Sequence, residues 1–144
     1  MGGFSRFEDI IAWQKAYELT IRIYKLSSAG PFARDFGLRD QIRRASVSVM
    51  ANIAEGHGRR TNAEFANFLN LARGSVAEVQ SHLYVAKGLH YCDSANFDDL
   101  YQIADEVSRM TIALARYLRE SERKSEPNKI VNADTGNQKN TKTR

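Results

Sequence analysis

Arginine is the residue type in this sequence best suited to recognise a charged partner. Five arginines occur between positions 39 and 60: Arg39, Arg43, Arg44, Arg59 and Arg60. Guanidinium groups match the oxygens of a phosphate, and adjacent arginines on a flexible turn can grip a nucleic-acid backbone. Arg59 and Arg60 follow Gly56-His57-Gly58, which indicates such a turn. The five arginines are therefore candidate nucleic-acid contacts; the alternative is that they are solvated or paired with carboxylates.

A second set of polar side chains repeats at spacings of three and four: Gln41, Arg44, Ser48, Asn52 and Glu55. At the helical angle of about 100° per residue these side chains fall on one narrow stripe. The stripe lies beside an apolar row rather than opposite it, and polar groups at the edge of a core need partners. An intramolecular network, a neighbouring subunit and a ligand could each supply them, so Gln41, Ser48, Asn52 and Glu55 are predicted to form a polar network or an oligomer contact.

Spacings typical of catalytic or metal sites are missing from the sequence. Di-iron bundles use Glu-x-x-His pairs, whereas Glu78 and His82 are four residues apart and the pattern has no second copy. Gly56-His57-Gly58 lacks the lysine and hydroxyl residue of a phosphate-binding loop. Cys92 has no accompanying His and Asp pattern, and no zinc-ligand spacing occurs. We therefore predict no catalytic residue, no metal site and no cofactor.

Four segments with helical periodicity must position these side chains. They are predicted from Phe7 to Ser27, from Leu38 to Glu55, from a capping box at Thr61 and Glu64 to Gly88, and from Asp93 or Ser94 onward. Strand patterns are absent and the connections are short, which favours antiparallel neighbours. The predicted fold is all-α: an antiparallel up-and-down four-helix bundle over residues 1–122, followed by a disordered basic tail over residues 123–144.

Each predicted helix carries an apolar row suited to the core. The rows are Ile10, Trp13, Tyr17, Ile21 and Tyr24 in the first helix; Leu38, Ile42, Ala45, Val49 and Ile53 in the second; Phe65, Phe68, Leu69, Ala72, Val76, Val79, Leu83 and Ala86 in the third; and Phe97, Leu100, Ala104, Val107, Thr111, Leu114 and Leu118 in the fourth. Ile103, Met110 and Tyr117 make a second row in the last helix. The aromatic residues are accordingly assigned to packing rather than to base stacking.

Charge is unevenly distributed along the chain. Residues 1–122 hold 15 basic and 15 acidic side chains, so the net charge of +4 comes from the tail. Residues 34–60 carry a net charge of +3, whereas residues 88–122 carry −4. Opposite charges on one chain suit head-to-tail association or a weak nucleic-acid surface, and ordinary scattered surface charge is the alternative.

Membrane and secretory classes are disfavoured by the sequence. No apolar run approaches the roughly 20 residues that a membrane helix needs, and the N-terminus lacks the pattern of a secretory signal. A single cysteine, Cys92, rules out an intramolecular disulfide. We expect a cytoplasmic protein without a membrane partner.

Several segments together resemble a known family. They are Ala12-Trp13-Gln14-Lys15-Ala16, Phe36-Gly37-Leu38, the long run from Gln41 to Gly56, Glu64-Phe65 with Phe68-Leu69, and Ala72-Arg73-Gly74-Ser75. This pattern is similar to the four-helix bundle proteins of the 23S rRNA intervening-sequence type, a family similar to the accessory variability determinant proteins of diversity-generating retroelements. The resemblance implies a homo-oligomeric ring, typically a pentamer, without catalysis. For the retroelement relatives it implies binding of nucleic acid and of a reverse transcriptase.

These observations predict a non-enzymatic, oligomeric four-helix bundle that binds RNA or DNA, or a nucleoprotein partner such as ribosomal RNA or a reverse transcriptase. The alternative is a self-assembling scaffold or adaptor without nucleic-acid binding. In that case the arginines would pair with acids of the next subunit, such as Asp98, Asp99, Asp105 and Glu106.

Overall fold

The computed structural model describes residues 3–125, and its regular elements are helices. A 3-10 turn at Phe7–Asp9 precedes α1 (Ile11–Leu26), α2 (Gly30–Arg34), α3 (Phe36–His57), α4 (Asn62–Gly88) and α5 (Ser94–Ser125). No strand occurs between residues 3 and 125, which agrees with the all-α prediction. None of the helices in this range is long and apolar enough to cross a bilayer.

The helix boundaries differ from the predicted ones by more than two residues at three places. The first segment divides into the 3-10 turn and α1. The short α2 was not predicted; Pro31 lies in its first turn, where a missing N–H costs no helical hydrogen bond. Finally, α5 continues to Ser125, so residues 123–125 of the predicted tail are helical. The rest of that tail, residues 126–144, lies outside the described residues.

Side-chain caps begin the three long helices that follow α2. The Asp35 carboxylate accepts from the Leu38 amide (3.1 Å), and the Thr61 hydroxyl accepts from the Glu64 amide (3.2 Å). The Asp93 carboxylate accepts from the Asn96 amide at 2.7 Å. Each cap satisfies an amide that has no partner within its own helix, which is why local sequence sufficed to place the starts of α4 and α5.

The four long helices pack in a closed circuit, in which α1 and α4 each contact both α3 and α5. Ion pairs along α1 show its direction relative to α5. Lys15 pairs with Glu106 (2.9 Å), whereas Arg22, farther along α1, approaches Asp99 (3.7 Å). Residue numbers therefore rise along α1 as they fall along α5.

The core follows the predicted rows in α3, α4 and most of α5. Ile42, Val49 and Ile53 are fully buried, as are Leu69, Val76, Val79 and Leu83 of α4 and Ala104 and Val107 of α5. Tyr117, predicted as part of a second buried row, is 44% exposed. The buried polar side chains of the described residues all find hydrogen-bond partners.

The predicted core row of α1 is wrong for three of its five residues. Tyr17 is 50% exposed, and Ile21 and Tyr24 are similarly open to solvent. The residues that α1 buries are Ala12, Ala16, Leu19, Thr20 and Ile23. Small alanines allow α1 to approach its neighbours closely, and this leaves the wider aromatic row at the outer edge, where Trp13 stacks on Tyr17 (5.7 Å between ring centroids).

Candidate nucleic-acid interface

Two of the five predicted arginines connect α3 to α1 and α2. Arg43 donates from Nε to the Ser27 hydroxyl (2.8 Å) and from Nη2 to the Ser28 hydroxyl (3.0 Å), and its guanidinium lies over the Tyr24 ring. Arg39 donates to the Ala33 carbonyl oxygen (3.0 Å) and pairs with Asp40 (3.1 Å). These hydrogen bonds give Arg39 and Arg43 a structural role and use part of the five N–H donors that each guanidinium carries.

The other three predicted arginines do not form one surface with them. Arg59 pairs with Glu55 (2.7 Å) and lies over the Phe68 ring, whereas Arg60 is exposed and makes no ion pair among residues 3–125. Arg44 is exposed on the α4 side of α3. Arg43 and Arg59 are separated by 16 positions, which is about 24 Å at 1.5 Å per helical residue. The structure therefore places the predicted set on separate surfaces.

The polar stripe of α3 lies along the boundary with α4. The Ser48 hydroxyl hydrogen-bonds to the Ser75 hydroxyl (2.9 Å), and Asn52 donates to the Ser48 carbonyl oxygen at 2.9 Å. Glu55 pairs with Arg59 within α3. Gln41 is exposed and lines a shallow groove with Arg44, Ser48, Ser75, Glu78 and His82. The centre of the stripe thus has partners within the chain, and its Gln41 end remains open.

A cluster of four arginines that the sequence reasoning missed lies between α4 and α5. Arg73 of α4 and Arg116, Arg119 and Arg123 of α5 line a groove of about 370 Å³, hereafter the arginine groove. Glu120 is the one acidic side chain in its lining, and the Arg119 guanidinium reaches the Asn67 amide oxygen (3.5 Å). The available signal was the spacing of three and four between the α5 arginines, which places them on one helical face.

The net charges of sequence segments do not reveal this arginine cluster. Residues 88–122 have a net charge of −4 as a whole, and Arg123 lies just beyond them. In the structure three of the four acids in the first half of α5 pair with basic side chains: Asp99 contacts Arg22 (3.7 Å), Asp105 contacts Arg109 (3.4 Å) and Glu106 contacts Lys15 (2.9 Å). The second half of α5 carries Arg116, Arg119 and Arg123 together with Glu120 and Glu122.

The ion pair between Lys15 of α1 and Glu106 of α5 can be tested by the dependence of stability on pH. The hydrogen bond from Lys15 holds the pKa of Glu106 below its ordinary value. A lowered carboxyl pKa contributes stability above the unfolded-state pKa, and this contribution is lost as pH falls through the folded-state pKa. In Lys15→Met we expect the Glu106 pKa to rise and stability to fall less steeply with acid. Carboxyl NMR titration and urea unfolding between pH 3 and 7 would measure both, with Lys25→Met as the control; an unchanged Glu106 pKa would contradict the assignment.

The described residues contain no grouping suited to metal binding or to an activated thiol. No cluster of three or more His, Cys, Asp and Glu side chains able to hold a metal occurs within residues 3–125. Burial, with a smaller contribution from Asp93, raises the pKa of the Cys92 thiol, which disfavours the nucleophilic thiolate. What the arrangement can do is hold anions by charge-assisted hydrogen bonds.

Fold and surface together define an all-helical protein that presents clustered arginines. The family model described as 23S rRNA-intervening sequence protein matches residues 8–113. The chain therefore belongs to the 23S rRNA-intervening sequence protein family. Arg116, Arg119 and Arg123 lie beyond the matched span.

One solved structure supports the fold. It is a protein of unknown function from the S23 ribosomal protein family of Bacteroides thetaiotaomicron VPI-5482, 24% identical, with a TM-score of 0.66. The alignment covers 72% of this chain and 97% of that one. No match among curated proteins is found.

Proposed function

We propose that this chain forms an antiparallel four-helix bundle that self-associates and binds RNA through the arginine groove without catalysing a reaction. The observation that carries the proposal is the meeting of Arg73, Arg116, Arg119 and Arg123 in one open groove beside a single acid. Four guanidinium groups against one carboxylate leave a local charge of +3, which favours a polyanion.

RNA is the polyanion that the family description favours, since it names a protein of an rRNA intervening sequence. Binding of this kind is held mainly by contacts to phosphates and is weakly dependent on base sequence. Arg44 and Arg60, which are exposed, can add contacts along the same RNA. Arg39 and Arg43 would act indirectly, because their contacts position α3 against α1 and α2.

Self-association is supported by the outer face of α1. Tyr17, Ile21 and Tyr24 are exposed there at helical spacing, and Val47 of α3 is also exposed. An exposed apolar row on a helix is typical of a protein contact surface. A second copy of this chain is the proposed occupant, and a homopentameric ring is the assembly that the family resemblance implies.

Two measurements on the wild-type protein test the proposal. Multi-angle light scattering is expected to give a mass several times that of the 16.3 kDa chain, and a pentamer gives five times that value. Fluorescence anisotropy with a labelled 20-nucleotide RNA is expected to show that the logarithm of the binding constant falls linearly with the logarithm of the salt concentration. A monomeric mass would overturn the assembly, and the absence of RNA binding at 50 mM salt would overturn the function.

A further inference from the structure

A second cavity, separate from the arginine groove, lies where α3 ends and α4 begins. It has a volume of about 720 Å³ and mainly apolar walls, which include Phe65, Leu114, Tyr117 and Leu118. We call it the end pocket. Its volume falls within the range of about 300–1,000 Å³ typical of small-molecule sites, which are likewise mostly apolar with a few polar groups. None of its lining residues also lines the arginine groove.

Close packing around Gly56 defines one wall of the end pocket. A Cβ atom at Gly56 would lie 2.7 Å from Phe68 Cβ and 3.0 Å from Phe65 Cδ1, so the absence of a side chain lets α4 approach α3. Phe65 is nearly buried as a result, and its ring meets His57 edge-on (6.2 Å between centroids). His57 Nε2 also donates to the Phe4 carbonyl oxygen at 2.7 Å. That bond holds the N-terminal segment against the pocket, where Phe4 forms a further wall.

The charged side chains that line the end pocket are all arginines. Arg59 and Arg60 line it, and no aspartate or glutamate does. Arg59 is partly neutralised by Glu55, whereas Arg60 makes no ion pair among the described residues. The first turn of α4 begins at Asn62 beside these arginines and adds the partial positive charge of a helix N-terminus.

We propose that the end pocket binds an amphipathic organic anion. The apolar or aromatic body of the ligand packs against Phe65, Leu114 and Tyr117, and Arg60 holds its carboxylate, sulfonate or phosphate group. Charge-assisted hydrogen bonds supply the preference for an anion, and burial of the apolar body supplies the rest of the affinity. The arginine groove, which is the main RNA contact proposed above, shares no lining residue with the end pocket, whereas Arg60, an additional RNA contact, is common to both activities.

Two fluorescent probes with nearly the same aromatic body separate the contribution of the anionic group from that of apolar burial. 8-Anilinonaphthalene-1-sulfonate carries a sulfonate, whereas N-phenyl-1-naphthylamine is its uncharged counterpart. In Arg60→Gln we expect the sulfonate to bind about tenfold more weakly, as loss of one charged hydrogen bond implies, and the neutral probe to bind unchanged. Arg34→Gln, an exposed arginine of α2, is the matched control and should leave both probes unaffected.

A second variant tests the location of the probe. Ala113 is exposed and lines the end pocket, so Ala113→Trp is expected to fill it and weaken both probes at least tenfold. Ala77→Trp places the same bulk on an exposed position of α4 outside the pocket. Equal sulfonate binding by Arg60→Gln and wild type, or by Ala113→Trp and Ala77→Trp, would overturn the proposal. RNA anisotropy on the same variants should be unchanged for Ala113→Trp, which keeps this test distinct from that of the arginine groove.

Discussion

Replacing Arg73, Arg116 and Arg123 together by glutamine is expected to weaken RNA binding on the order of 100-fold, because three lost charged contacts of about 1 kcal/mol each sum to about 3 kcal/mol. The three side chains are exposed and lie in helices, so glutamine preserves helix propensity while removing the charge. Each lost phosphate contact also reduces the salt dependence, by roughly 0.7 in the logarithmic slope for a single strand. Anisotropy titrations at 50 and 200 mM salt would measure both effects.

Two further triple variants with the same loss of charge make this experiment specific. Lys25, Arg34 and Lys87 are exposed, and Lys87 lies 14 positions from Arg73 along α4, about 21 Å away. Replacing these three residues by glutamine should reduce the affinity for RNA only slightly, because it lowers the net charge without removing a groove contact. Arg44→Gln/Arg59→Gln/Arg60→Gln removes the exposed part of the arginine set that the sequence indicated. If that variant lost more affinity than the groove variant, the arginine groove would not be the main RNA contact.

Gly56→Ala is expected to destabilise the protein by about 1–3 kcal/mol, as overpacking of a filled site does. The new Cβ would lie 2.7 Å from Phe68 Cβ, an atom attached directly to the α4 backbone, so relief requires α4 to move away from α3. This net value already includes the intrinsic preference of helices for alanine over glycine, about 0.5–1 kcal/mol, which acts in the opposite direction.

Gly74→Ala is the matched control for this substitution. Gly74 lies within α4, and nothing approaches within 4 Å of the position that its Cβ would occupy. The same change should therefore stabilise the protein by about 0.5–1 kcal/mol. Urea unfolding at one protein concentration would measure both values, because association shifts apparent stability. Stabilisation by both substitutions would show that the α3–α4 contact at Gly56 is looser than described.

Much of the fold could be predicted from local sequence. The Thr61 cap and Asp93, one of two predicted caps for α5, mark helix starts because each hydrogen bond joins atoms only three residues apart. The single apolar row of α3 permits one buried face, and Ile42, Val49 and Ile53 occupy it. In α1 two rows satisfy the helical period, one aromatic and one rich in alanine, so periodicity alone could not choose between them.

The candidate sites were less predictable. Arg59 and Arg60 were recognised as an adjacent pair, but the apolar walls beside them come from α4, α5 and the N-terminal segment. Arg116 and Arg119 lie within a stretch of net negative charge, and their proximity to Arg73 depends on how α4 and α5 pack. Sequence spacing describes one helix at a time, whereas both cavities are bounded by more than one element.

By itself the sequence determined that the chain is helical, where α4 and α5 begin, and which faces of α3, α4 and much of α5 are apolar. These properties depend on hydrogen bonds and side-chain spacing within a few residues. Only the tertiary structure decided which row of α1 is buried, that Arg39 and Arg43 connect helices, and that four other arginines share a groove. Those outcomes depend on distances between helices, which follow from the shapes of the packed faces rather than from position along the chain.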